Sequence, residues 1–132
     1  MKIANLAKIT AGFKKAREVS FESESPNFKL GSVIMRKGKI LSSGCNQRFK
    51  THPYCKYNGA DHNRNLHAEL VSIFRIKNKE ILRGATLLVY REHKNGTLAN
   101  SRPCPMCMNE IKRWGIKKVI YTTNHGIFEE KV

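Results

Sequence analysis

Two short stretches carry residues whose types and spacing suit metal chemistry. His67-Ala68-Glu69 stands at the head of one apolar helical run, and Pro103-Cys104-Pro105-Met106-Cys107 at the head of another. Cys104 and Cys107 lie three apart, so on a first helical turn both sulfurs face the same side. Helix N-termini present free N–H groups and partial positive charge, which favours thiolates there. Two cysteines and one histidine make three protein ligands, and a tetrahedral zinc then keeps one position open for water. That open position separates a catalytic zinc from a closed structural one, because zinc brings the pKa of its water toward neutrality. Glu69, two residues beyond the histidine, is a carboxylate placed to take the water's proton and pass it on. A thioredoxin-like C-x-x-C would follow an early strand near the N-terminus. Here the pair comes late and follows Pro103, so metal binding leads.

Other candidates carry less. Cys45, His52, Cys55 and His62 could hold a second metal, but their spacing matches no tight motif, and a buried thiol with solvated loop histidines is the plainer reading. His93 and His125 fall in predicted loops at the surface. Trp114 ends an amphipathic helix and reads as core or subunit contact. Tyr54 and Tyr57, in a loop rich in Lys and Arg, could stack on a base or be partly buried.

The elements that must position these residues alternate along the chain. Leu6, Ile9, Phe13 and Ala16 predict an amphipathic helix over residues 4–18. Leu30–Met35 and Lys39–Ser42 predict two strands around Arg36-Lys37-Gly38, a tight hairpin. Asn46–Asn65 reads as a long functional loop. Leu66, Leu70, Ile73 and Phe74 mark a second helix that fades near Lys79, and Ala85–Arg91 is a buried strand. Glu92–Ser101 is a loop turning at Asn95-Gly96. Pro103 starts a third helix that ends with Gly115 as C-cap. Lys118–Thr122 is a strand, and Asn124-His125-Gly126 turns into a last strand through Phe128. The order α-β-β-α-β-α-β-β predicts one sheet with helices packed on it.

Composition bounds the answer. A chain of 132 residues, 40% hydrophobic and 27% charged, is sized for one globular domain, residues 1–132, and is neither disordered nor disulfide-dense. No apolar run is long enough to span a bilayer. Met1–Thr10 has no hydrophobic core of a secretory signal, which leads us to expect a soluble cytoplasmic protein without membrane partners. The net charge is +15, with +9 in residues 1–64 and +6 in residues 65–132. There is therefore no basic tail, and the positive surface favours an anionic substrate or partner.

The pattern H-x-E…P-C-x-x-C resembles the signature of the zinc-dependent cytidine/deoxycytidylate deaminase superfamily. The resemblance runs from Leu30-Gly31-Ser32-Val33-Ile34 through His67-Ala68-Glu69 and Ala85-Thr86-Leu87 to Gly115-Ile116-Lys117-Lys118-Val119. It implies an α/β fold, a cytidine deaminase-like three-layer α/β/α sandwich with one mixed five-stranded sheet. It also implies one zinc per chain on His67, Cys104 and Cys107, with Glu69 as general acid/base. Asn46, in Gly44-Cys45-Asn46, matches the family segment that contacts the substrate's sugar, and the backbone N–H of Ala68 would touch the base. Two features depart from the deoxycytidylate and tRNA adenosine deaminase patterns. The turn at Thr123–Gly126 implies a last strand that returns antiparallel, and the approach to Cys104 through Glu92–Arg102 is longer. The expected activity is hydrolytic conversion of cytosine to uracil with release of ammonia, on a small deoxycytidylate-type nucleotide or nucleoside. The alternative is editing of cytosine or adenine within single-stranded DNA or RNA. The basic residues are spread along the chain and aromatics make up only 8%, which favours the small substrate over a polymer track. A homo-oligomer is expected.

Overall fold

The computed structural model describes residues 9–26, 28–47 and 66–132, and the backbone of Lys2–Ile3. Residues 4–8 of the first expected helix lie outside this set. So do Tyr54, Tyr57, His52, Cys55 and His62. The chain runs β1 (Lys2–Ile3), α1 (Thr10–Ser20), β2 (Leu30–Arg36), β3 (Lys39–Cys45), α2 (Ala68–Phe74), a 3-10 turn (Lys79–Leu82), β4 (Thr86–Arg91), α3 (Pro105–Arg113), β5 (Lys118–Thr123) and β6 (Gly126–Lys131). The strands form one mixed sheet in the order β1-β6-β5-β4-β2-β3. Five of them are the expected strands. The two-residue β1, which extends the β6 edge, is too short to leave a periodic signal.

Strand alternation sorts the core into two layers. Val33, Met35, Leu88, Tyr90 and Ile120 face α1, where Phe13 and Ala16 meet them. Ile34, Leu87, Val89, Val119 and Tyr121 point the other way, against Ile73, Met108 and Ile111 of α2 and α3. Successive residues thus serve opposite layers, as period two requires. The β2–β3 hairpin turns through Lys37 (φ 50°) and Gly38 (φ 77°), the paired left-handed conformations of a tight turn that matches strand twist. β4 and β5 are parallel, joined through α3, and β6 returns antiparallel to β5 across Thr123–Gly126, as the sequence implied.

Some boundaries moved. α1 begins at Thr10 and runs to Ser20, later than the expected end at residue 18. α2 stops at Phe74. The third helix begins at Pro105 rather than Pro103: Cys104 is its N-cap and Pro105 its first helical residue, where a missing N–H costs nothing. Trp114 packs against the core, its Nε1 donating to Glu110 Oε1 at 2.6 Å.

α1 lies so close to β2 that a Cβ on Gly31 would stand 2.0 Å from the Ala16 carbonyl oxygen. That oxygen is backbone and cannot swing aside. Gly31→Ala should therefore lower stability by about 1–3 kcal/mol, the usual cost of overpacking, seen as a reduced urea midpoint at unchanged m-value. A wild-type midpoint would show that α1 can shift without penalty.

Candidate metal centre and active site

Two helix N-termini converge at the end of the sheet where β4 finishes and β2 begins. His67 is the N-cap of α2 and Cys104 the N-cap of α3, with Cys107 one turn further on. Each helix is tied to the sheet by buried hydroxyls. Ser32 of β2 donates to the Ala68 carbonyl at 2.7 Å and lies 2.8 Å from the Ser72 hydroxyl. Ahead of α3, the Ser101 hydroxyl donates to the Val89 carbonyl at 2.9 Å and accepts from the Thr122 N–H at 2.9 Å. The Thr122 hydroxyl in turn donates to the Ala99 carbonyl at 2.7 Å. The long loop after β4 is thereby stitched to β4 and β5 just before Cys104.

The three candidate ligands meet. Their donor atoms lie within 4.8 Å of one another, the one such group among the described residues. His67 Nδ1 is 3.3 Å from Cys107 Sγ and 3.5 Å from Cys104 Sγ. A tetrahedral zinc with ordinary Zn–S and Zn–N bonds needs nitrogen and sulfur about 3.5 Å apart. The donor set and its spacing therefore fit one zinc ion, and Nδ1 is the histidine atom that faces it.

The electrostatics are consistent with a cation site. The Cys104 thiol is pulled down to about 4, first by the hydrogen bond from Cys107 and then by His67 and the Cys107 backbone N–H, against the opposing effect of burial. The same sulfur–sulfur hydrogen bond, with burial, pushes Cys107 well above its usual value. Glu69 is 3% exposed, and its burial raises the carboxyl's pKa, partly offset by the nearby His67.

In front of the trio is a cavity of about 230 Å³. Glu69, Ala68 and Asn46 line it beside His67 and Cys104. Asn46 also has local work: its Oδ1 accepts from the Leu30 N–H at 2.9 Å and its Nδ2 donates to the Phe28 carbonyl at 2.6 Å. One amide hydrogen and one lone pair remain for a ligand. Phe28, Leu30 and Arg102 line the same cavity, and sequence reasoning passed over all three. Arg102 lay inside a predicted loop, and its partner Glu130 is 28 residues away. Cys45 is buried with its thiol raised chiefly by burial, as a plain core cysteine. His93 and His125 are exposed.

The sheet, the two helix N-termini and the His-Cys-Cys trio beside a buried carboxylate fit a zinc-dependent hydrolase. The chain belongs to the family described as cytidine and deoxycytidylate deaminase zinc-binding region, whose profile matches residues 7–123. The dCMP deaminase of cyanophage S-TIM5 is 27% identical with a TM-score of 0.61, over 90% of this chain and 84% of that one. The cytidine deaminase of Burkholderia pseudomallei shares the fold at 17% identity, TM-score 0.63, over 92% and 91% of the two chains. The Thermotoga maritima diaminohydroxyphosphoribosylaminopyrimidine deaminase/reductase is 26% identical, TM-score 0.56, over 87% of this chain and 29% of that one. No curated protein sequence matches significantly. No helix among the described residues is long and apolar enough to cross a membrane.

Two predictions follow from this geometry. Cys104→Ala removes a donor that no other Cys or His among the described residues replaces, so the purified variant should lose most of its zinc by metal analysis, against about one zinc per chain in the wild type. Full occupancy would remove Cys104 from the centre. The second concerns Glu130, whose carboxyl is held below its usual 4.5 mainly by its hydrogen bond from Arg102. A depressed folded pKa gives stability that is present above the unfolded value and lost as pH falls through the folded one. The melting-temperature gap between wild type and Glu130→Gln should thus be widest above about pH 5 and shrink as pH falls below the ordinary carboxyl value of 4.5. A gap independent of pH would mean the charge on Glu130 contributes nothing.

Proposed function

We propose that the chain converts cytosine to uracil by hydrolysis, releasing ammonia, on a small nucleotide or nucleoside of the deoxycytidylate type. In this reading His67, Cys104 and Cys107 hold the zinc, and Glu69 moves the protons. The observation that carries it is the placement of Glu69: a buried carboxylate opening into the same cavity as the three donors. A purely structural zinc has no use for such a group, and burying it without a task is costly.

Zinc held by His67, Cys104 and Cys107 would supply an activated water as nucleophile. Glu69 would take a proton from the attacking water and deliver protons to the pyrimidine ring and the departing amino group. The C4–O bond forms first and the C4–N bond then breaks with the amino group protonated, so water and cytosine become uracil and ammonia. A raised carboxyl pKa suits a residue that must alternate between base and acid. The backbone N–H of Ala68 at the head of α2 faces the base, and the free hydrogen-bonding capacity of Asn46 serves the sugar. Phe28 and Leu30 provide an apolar wall for the ring. The likeness to the cyanophage dCMP deaminase, of which a dCMP and dUMP complex aligns at 26% identity, supports a nucleotide substrate.

One observation favours a second reading, deamination within a single-stranded nucleic acid. Phe21 and Phe28 are 48% and 54% exposed. Each has an arginine over its ring, Arg17 at 5.0 Å and Arg91 at 4.3 Å from the centroids. Exposed aromatics with cations are the parts of a stacking track.

A panel of cytosine, cytidine, deoxycytidine, their monophosphates and cytosine-containing single-stranded oligomers, scored for deaminated product, separates the two. Turnover of monomers is expected. Oligomers deaminated while every monomer stays inert would overturn the small-substrate reading. Glu69→Gln should retain zinc and fold but lose about 10²–10⁴-fold in kcat. Near wild-type turnover would assign the proton transfers to another group.

A further inference from the structure

Arg102 stands two residues ahead of Cys104 and lines the cavity in front of the zinc ligands. Among the described lining residues it is the one lysine or arginine. In a chain of net charge +15 a cation there is unremarkable by itself. What distinguishes it is how it is held. Arg102 Nε donates to Glu130 Oε2 at 2.8 Å, and Nη2 donates to Glu130 Oε1 at 3.3 Å. Glu130 Oε2 also accepts from the Tyr121 hydroxyl at 2.8 Å. Tyr121 is 1% exposed in β5, and Glu130 sits on the neighbouring β6. The guanidinium is therefore anchored to the sheet although its backbone belongs to a loop.

A guanidinium carries five N–H donors in a rigid fork. Glu130 occupies one edge and the Tyr121 hydroxyl also interacts with the guanidinium, which leaves the remaining Nη hydrogens for another acceptor. The side chain is 50% exposed, so a ligand in the cavity mouth can reach it. An unanchored arginine must surrender rotamer freedom when it grips an anion, and this one has already done so.

We propose that Arg102 is a specificity-determining residue that binds the phosphate of a cytosine nucleotide, and that Glu130 and Tyr121 are positioning residues that hold it for that purpose. This rests on the reading that the site deaminates a cytosine compound, and narrows the substrate to nucleoside phosphates over nucleosides. Glu130 cancels the charge of Arg102 at long range, so recognition comes from short, directed N–H donors. The remaining positive surface supplies the long-range attraction.

The test uses the zinc-loaded full chain and compares kcat/KM for cytidine and deoxycytidine with that for their 5′-monophosphates. The wild type should prefer the monophosphates. In Arg102→Gln the monophosphate-to-nucleoside ratio should fall at least about tenfold, the loss expected for a charge-assisted hydrogen bond. Arg102→Lys should give a ratio below wild type, because one ammonium cannot both hold Glu130 and present a fork. It also serves if the glutamine variant does not fold. Glu130→Gln should raise KM for the monophosphate more than it lowers kcat. A binding readout accompanies these: on a Glu69→Gln background, titration with the uridine monophosphates against uridine should show the same loss of preference when Arg102 is changed. An unchanged ratio in either Arg102 variant, or equal losses on nucleoside and nucleotide, would overturn the proposal while leaving the deaminase reading intact. A wild-type chain that deaminates no cytosine compound would overturn that reading, and the proposal with it.

Discussion

Burying a carboxylate beside two sulfurs and an imidazole is unfavourable unless charge and hydrogen bonds converge on it. Here the convergence comes from two helix N-termini. His67 and Cys104 stand at the N-cap positions of α2 and α3, so the candidate ligands sit where first-turn N–H groups have no intrahelical partner and the peptide dipoles favour anions. Glu69 is on the same first turn as His67, so any movement of α2 displaces the candidate ligand and the buried carboxylate together. The fold accordingly fixes both helices against the sheet through hydroxyls: Ser32 to the Ala68 carbonyl for α2, and Ser101 with Thr122 for the approach to α3. Leu70, Met106 and Cys107 then close an apolar cluster between the two helix ends, which keeps the inner side of the centre dry.

The cavity wall is assembled by side chains that do two jobs. Asn46 pins the backbone of Phe28 and Leu30 on the far side of the strand pair and still presents part of its amide to the cavity. Ser23 extends that brace by donating to the Asn46 carbonyl at 3.0 Å. The connector between α1 and β2 is thus tied to the end of β3, and its exposed Phe28 is held at the cavity. Arg102, clamped by β6, bounds the same space. The cavity wall on this scaffold depends on polar bridges between segments far apart in sequence, whereas the candidate ligands and Glu69 come from two short local motifs.

That difference explains what the sequence disclosed. His67, Glu69, Cys104 and Cys107 were legible because their spacing is local: two residues apart at one helix start and three at the other. Ala85–Arg91 was legible as a buried strand because apolar residues run through it, so that odd and even positions both find a layer. The start of α3 was misplaced because Pro103 and Pro105 both suit a helix entrance, and only the N-cap role of Cys104 decides between them. The end of α1 was misplaced because its last turn buries Val19 and Ser20, and Ser20 gives no apolar signal. The Arg102–Glu130 pair was invisible, since the last strand was expected to end at Phe128, short of Glu130, and the contact joins residues 28 apart at 2.8 Å. The bonds of Asn46 to Phe28 and Leu30 were hidden too, being set by the close of β3 against the start of β2.

Whether the centre is catalytic turns on the number of protein ligands. X-ray absorption at the zinc edge of the purified wild-type chain measures it directly. Two sulfurs at about 2.3 Å, one imidazole and one further light-atom oxygen at about 2.0–2.1 Å are expected of a site with an exchangeable position. A third sulfur or a second imidazole in the first coordination sphere would mean a closed structural zinc, and would contradict hydrolytic deamination at this site.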